Sequence, residues 1–227
     1  MRIVIAGGHG RIARRLGRLL AGRGDVVAGI VRNPAHGGDL VADGVQPVVL
    51  DLESASCEEV AAVLAGADAV VFAAGAGPGS GAARKDTVDH RAAVLLTRAA
   101  SHAGVRRYVM VSTRGAGSPP PAHADEVWAA YVHAKTAADD DLMAQDLDWT
   151  VLRPAALTDG PGTGTVRLTA GRSTGEVTRD DVAQVLVALL DTPATAGLVL
   201  ELAEGPDPVR AAVSRAAEDR TGAPRQK

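Results

Sequence analysis

Short apolar runs alternate along the chain with longer stretches in which apolar residues recur every three or four positions. The runs predict strands at residues 2–6, 26–31, 46–50, 69–73, 107–112 and 149–153. IVIA, AVVFAA and YVMVS are apolar at consecutive positions rather than every second one, which is the pattern of strands covered on both faces. Helices are predicted near residues 10–22, 37–43, 55–65, 85–103 and 124–146. In the first of these, Ile12, Leu16, Leu19 and Leu20 share one face, Arg11, Arg14, Arg15 and Arg18 lie elsewhere, and Gly22 and Gly24 punctuate the end. A later helix, Arg179–Leu190, opens with TRDD and so carries acidic groups on its N-terminal turn. LVLEL at 198–202 reads as a late strand, and the segment from Pro206 as one more helix ending in a loose TGAPRQK.

Strands separated by helices imply βαβ units and a parallel sheet. The expected fold class is therefore α/β, a single Rossmann-type doubly wound parallel sheet flanked by helices, with a small C-terminal substrate region. Residues 1–205 would form this unit and 206–227 a helix and partly flexible tail. Two Gly/Pro-rich loops, GAGPGSGAAR at 75–84 and RGAGSPPPAH at 114–123, are candidate lids or substrate walls.

Composition narrows the picture. The 227 residues, 46% of them hydrophobic, suffice for one core, and with aromatics at 2% that core must be built from Ala, Val and Leu. A net charge of -3 argues against nucleic acid as a partner and suits a small-molecule ligand. The single cysteine, Cys57, excludes an internal disulfide and reads as an incidental thiol without metal-ligand spacing around it. No segment approaches the ~20 apolar residues needed to cross a bilayer. Strand-forming residues start at once, without a basic leader or a cleavage site, so a cytoplasmic location and no membrane partner are expected. Monomer and homodimer both stay open. The scattered histidines show no metal-ligand spacing, and Asp139-Asp140-Asp141 reads as a solvated helix face rather than a cation site.

The densest chemical signal is AGGHGRIA at residues 6–13, between the first strand and the first helix. Gly7-x-x-Gly10-x-x-Ala13 supplies a tight turn, a close backbone approach for a pyrophosphate and close helix–sheet packing. The helix start then offers free N–H groups and a partial positive charge to phosphates. A plain βα turn is the alternative, but the spacing and the second strand on schedule favour a dinucleotide. His9, Arg11 and Ile12 belong to the same loop and helix start. The second strand ends in Arg32-Asn33 with no acid to hold a ribose 2′-hydroxyl, so Arg32, helped by Arg11, favours the 2′-phosphate of NADP over NAD. Asp51, with Leu52, closes the third strand where adenine would lie; capping the next helix is the alternative for Asp51. Ala73, Ala74 and Gly75 leave room for a ribose at the end of the fourth strand.

These stretches, with VDHRAAVLLTRAASHAGVRRYVMVST, YVHAK and LDWTVLRPAALTDGPGTG, resemble the short-chain dehydrogenase/reductase superfamily. The likeness is to its atypical NAD(P)H-binding branch of NmrA-like, biliverdin-reductase-B-like and epimerase/dehydratase-like proteins, and it covers residues 1 to about 205. The resemblance implies that Tyr131 and Lys135 form a Tyr-x-x-x-Lys pair, the tyrosine exchanging a proton with a substrate oxygen and the lysine holding the nicotinamide ribose. It implies a substrate-binding hydroxyl at Ser112 or Thr113, with Thr113 preferred. It puts Asp89 where the superfamily has Asn, leaving a pairing with Lys135 or a bound water open. It also lays Pro154, Ala155 and Leu157 against the nicotinamide amide. Trp128 and Tyr131 are the aromatic surfaces expected near the pocket, with plain helix packing as the alternative for Trp128.

Three functions remain in play: an NADP-dependent reductase or epimerase-like enzyme acting on a small carbonyl or quinone, an NmrA-type redox sensor without turnover, and a flavin- or biliverdin-type reductase in which Tyr131 has no acid–base role.

Overall fold

A computed structural model of the chain describes residues 1–77, 79–120 and 124–222. Residue 78 of the 75–84 loop, residues 121–123 of the 114–123 loop and the last five residues of the expected loose tail thus lie outside the described residues. The main sheet takes β1 (Arg2–Ala6), β2 (Val26–Val31), β3 (Gln46–Val49), β4 (Ala69–Phe72), β5 (Arg107–Val111), β6 (Asp148–Pro154) and β10 (Leu198–Glu204), all parallel, in the order β3-β2-β1-β4-β5-β6-β10. This is the doubly wound order, whose switch point lies at β1 and β4.

The central runs β1, β4 and β5 bury both of their faces, whereas β3 at the sheet edge stays partly exposed. Ile3 and Ile5 enter one half of the core, while Val4 and Ala6 enter the other. The first half is covered by α1 (Arg11–Gly22), α7 (Arg179–Leu190) and α8 (Val209–Gly222), through Leu16, Leu20, Leu186 and Val213. The second is covered by α3 (Cys57–Leu64), α5 (Ala92–His102) and α6 (Glu126–Met143), through Leu64, Leu96 and Leu142. A short α2 (Gly37–Ala42) leads into β3. The α3 N-cap is Ser56, in a reciprocal capping box with Glu59. Asp51 is therefore not the cap; its carboxylate accepts the Glu53 amide and shapes the turn before it.

The C-terminal part is richer than the pattern foretold. β7 (Ala156–Thr158) pairs with β9 (Glu176–Thr178) in a small second sheet. β8 (Thr165–Thr169) runs antiparallel on β10, and β11 (Asp207–Pro208) on β8. The segment past residue 205 thus continues the main sheet, and α8 buries Val209, Ala212 and Val213 in its core.

The predicted helix 85–103 also differs. It begins with one turn, α4 (Ala82–Arg84), passes through a π-helical segment at Lys85–Arg91 and only then becomes α5. Wide π turns recur at functional sites. This one buries Asp89 and most of Lys85.

Candidate active site

The turn after β1 is built by close backbone approach. Gly7 has φ +78°, and a Cβ there would stand 2.5 Å from the Ala74 Cα. A Cβ on Gly8 would stand 2.8 Å from the Cα of Gly29 on β2, and Gly8 donates its N–H to the Ile30 carbonyl at 2.9 Å. The α1 N-cap is Gly10, which offers no side-chain cap, and the first turn carries no acid. Its leading N–H groups therefore have no side-chain acceptor of the usual capping kind, the arrangement that favours an anion.

Beside this turn lies a cavity of about 430 Å³ over the carboxyl ends of β1 to β4. Gly7, His9, Gly10, Arg32 and Asn33 line one side. Asp51, Leu52, Ala73, Ala74 and Gly75 line another. His9 is stacked on His36 at 3.7 Å and bonded through Nε2 to Asp39 at 2.7 Å, so the ring is held in place at the rim. That contact and the nearby Arg14 hold the Asp39 carboxyl below its ordinary pKa. Two residues grouped with these in the sequence face elsewhere. Arg11 pairs with Asp159 beyond β7 at 2.7 Å, and Ile12 packs against the core.

Arg32 has a partner that its sequence neighbourhood does not suggest. Its Nη1 donates to Glu53 Oε2 at 2.7 Å, and Arg84 Nη2 donates to the same oxygen at 2.8 Å. Thr87 donates to Glu53 Oε1 at 2.6 Å. Glu53, Arg32 and Arg84 all line the cavity. Glu53 and Arg84 are the functional candidates that the sequence reading passed over. The only signal for Glu53 was its place two residues after Asp51.

A second group of charges sits under the ends of β5 and β6. Lys135 is buried; its Nζ donates to the Val111 carbonyl at 3.1 Å and lies 3.5 Å from Asp89 Oδ1. Asp89 Oδ2 accepts the Ala76 amide at 3.2 Å. The pairing of Asp89 with Lys135, one of the two options left by the sequence, is the one observed. One turn further along α6, Asp139 is fully buried and accepts Ser112 Oγ at 2.9 Å and Arg153 Nε at 3.0 Å. Burial pushes the Asp139 carboxyl up, against the pull of Arg153 and Ser112. The solvated face expected for Asp139-Asp140-Asp141 is thus corrected at its first residue. Asp139 follows Lys135 by four residues and Tyr131 by eight, which was the available signal.

Ser112 is committed to Asp139, whereas Thr113, also buried, follows it into the loop after β5. Tyr131 is half-buried, 5.5 Å from Trp128, with Lys85 Nζ 5.1 Å from its ring centroid. Lys85 is held by the Gly77 carbonyl at 3.0 Å, which ties the 75–84 loop to the π-helical segment. Pro154 ends β6, Ala155 donates to the Leu202 carbonyl at 2.8 Å, and Leu157 is exposed on β7. Among the described residues no cluster of His, Cys, Asp and Glu could hold a metal ion, and no helix is long and apolar enough to cross a membrane.

A glycine turn, an uncapped helix start and a cavity at the switch point are the parts of a dinucleotide site, and the model of the NAD(P)H-binding family matches residues 7–193. The chain belongs to that family. It is 35% identical over 220 residues to YhfK of Bacillus subtilis, named an uncharacterized sugar epimerase, a match covering 95% of this chain and 100% of the relative. A Bacillus halodurans structure, provisionally named an NAD-dependent epimerase/dehydratase, superposes with TM-score 0.87 at 33% identity, covering 95% of this chain and 99% of that one. ChuY, an anaerobilin reductase of Escherichia coli O157:H7, superposes with TM-score 0.76 at 25% identity, covering 90% and 97%. The resemblance stated from the sequence and the α/β doubly wound fold are both borne out by these matches.

Proposed function

We propose that the protein is an NADP-dependent oxidoreductase, reductase- or epimerase-like, acting on a small carbonyl, quinone or similar compound. The observation that carries this reading is the cavity over β1 to β4, flanked by the uncapped start of α1 and by Arg32 at its rim. The residues present suit the cofactor. Gly7, Gly10 and the first turn of α1 would hold the diphosphate, Arg32 the 2′-phosphate, and Asp51 with Leu52 the adenine. The bound cofactor would supply or accept the hydride. Tyr131 would exchange the proton with the substrate oxygen. Lys135, oriented by Asp89, would hold the ribose side, and Thr113 the substrate carbonyl. Pro154, Ala155 and Leu157 would border the nicotinamide end.

The test is NADPH oxidation against a panel of quinones, flavins, aldehydes and sugar nucleotides. On this reading Tyr131→Phe lowers turnover about a hundredfold or more while leaving NADPH affinity unchanged. Full turnover in that variant favours the flavin- or biliverdin-type reductase, for which the likeness to ChuY speaks. Binding without turnover on any substrate favours the NmrA-type sensor, for which the capture of Lys135 by Asp89 and the Val111 carbonyl speaks.

A further inference from the structure

The end of β2 lacks the acid that would mark an NAD site, yet the fold brings one there from the exit of β3. Glu53 reaches Arg32 across 21 positions of sequence and Arg84 across 31. Both guanidiniums donate to one carboxylate oxygen, and Thr87 donates to the other. Two guanidiniums converging on one anionic oxygen, each through a single N–H, form a doubly cationic pocket of the kind that suits a phosphate oxygen. All three charged side chains also face the cavity.

We propose that Glu53 sets the dinucleotide selectivity of this site: it accepts the ribose 2′-hydroxyl of NAD, and it competes as an internal anion for the arginine pair that would take the 2′-phosphate of NADP. The proposal rests on the reading that the cavity binds NAD(P). Charge explains the competition. Arg32 and Arg84 together carry two positive charges, and Glu53 cancels one of them. A 2′-phosphate, near two negative charges at neutral pH, meets a matched partner only when Glu53 turns away or loses its charge. Turning away is easy, because Arg32 and Arg84 are about half exposed and Glu53 is 24% exposed, and surface pairs of this kind hold weakly. Without a 2′-phosphate, the carboxylate stays as an acceptor for a hydroxyl. Arg84 closes the 75–84 loop, so the occupant of the arginine pair also decides whether Glu53 tethers that loop.

Calorimetric titration of the wild-type chain, Glu53→Gln and Arg84→Gln with NADP, NAD, 2′,5′-ADP and 5′-ADP tests this. Glu53→Gln is expected to raise the preference for NADP over NAD about tenfold, through tighter NADP and 2′,5′-ADP and weaker NAD. Arg84→Gln should weaken NADP and 2′,5′-ADP about fivefold and leave NAD and 5′-ADP unchanged. A preference that stays within about twofold of wild type in both variants, or that shifts toward NAD in Glu53→Gln, overturns the assignment of Glu53 while the dinucleotide site stands. A wild-type chain that binds neither dinucleotide removes the site and this inference together.

Discussion

Two groups of charges lie at the carboxyl edge of the same sheet in opposite surroundings. Beyond β2 and β3, Arg32, Glu53 and Arg84 meet at the open rim of the cavity. Under β5 and β6, Asp139, Arg153, Lys135 and Asp89 are packed away from water. The distances are alike, from 2.7 to 3.5 Å, so distance does not separate the two groups. Hydration does. An exposed pair contributes roughly 0–1 kcal/mol and can change partners, whereas removing one member of a buried pair costs about 3–5 kcal/mol. The rim is therefore suited to choosing between ligands, and the buried group to holding backbone and side chains in one arrangement. Asp139 joins α6, the end of β5 and β6 through Ser112 and Arg153. Two of these elements, α6 and the end of β5, carry the candidates Tyr131, Lys135, Ser112 and Thr113.

The contrast can be broken most forcefully at Asp139. Asp139→Ala leaves the Arg153 guanidinium buried without its anion and should cost about 3–5 kcal/mol in denaturant unfolding. Joint replacement by Asp139→Leu and Arg153→Met should recover most of that loss. A single-variant loss below about 1 kcal/mol would mean that the cluster is hydrated like the rim.

Asp43 stands between the extremes, with its side chain 6% exposed and held by Arg14 at 2.6 Å and Arg18 at 3.0 Å. Burial pushes its carboxyl up, but the two arginines more than offset this and hold it below the ordinary carboxylate value. A folded pKa below the unfolded one gives stability that is present above about pH 4 and is lost as pH falls through the folded value. Asp43→Asn should thus cost about 1 kcal/mol at pH 7, and its melting temperature should converge on that of the parent as pH drops below about 4. Parallel melting curves from pH 7 to 2 would contradict this.

The smallest effect is expected at the rim. Glu53→Gln should change unfolding free energy by less than about 0.5 kcal/mol while shifting the balance between NADP and NAD. A stability loss as large as that of Asp139→Ala would erase the distinction between the two groups.

The sequence showed the sheet well because its signals are local. Ile3 to Ala6 and Tyr108 to Val111 are apolar at consecutive positions, and burial on both faces follows from that alone. The Gly7 turn was equally legible, since a tight turn between strand and helix needs glycine at fixed spacing. β7, β8 and β9 escaped because they are short, rich in Thr, and paired with partners far along the chain. The π-helical turns at Lys85–Arg91 have no sequence period of their own. The charged residues divide the same way. Arg32 could be placed at the end of β2, but its pairing with Glu53 depends on where β3 lies beside β2. Asp139 was hidden in a run of three acids, of which its helical spacing from Lys135 turns only the first inward.

The central claim is that the cavity over β1 to β4 binds a pyridine dinucleotide. Titration of nucleotide-free protein with NADPH in a calorimeter addresses it most directly. The account predicts saturable binding of one NADPH per chain, tighter than NADH. Absence of heat with both nucleotides at millimolar concentration would contradict it.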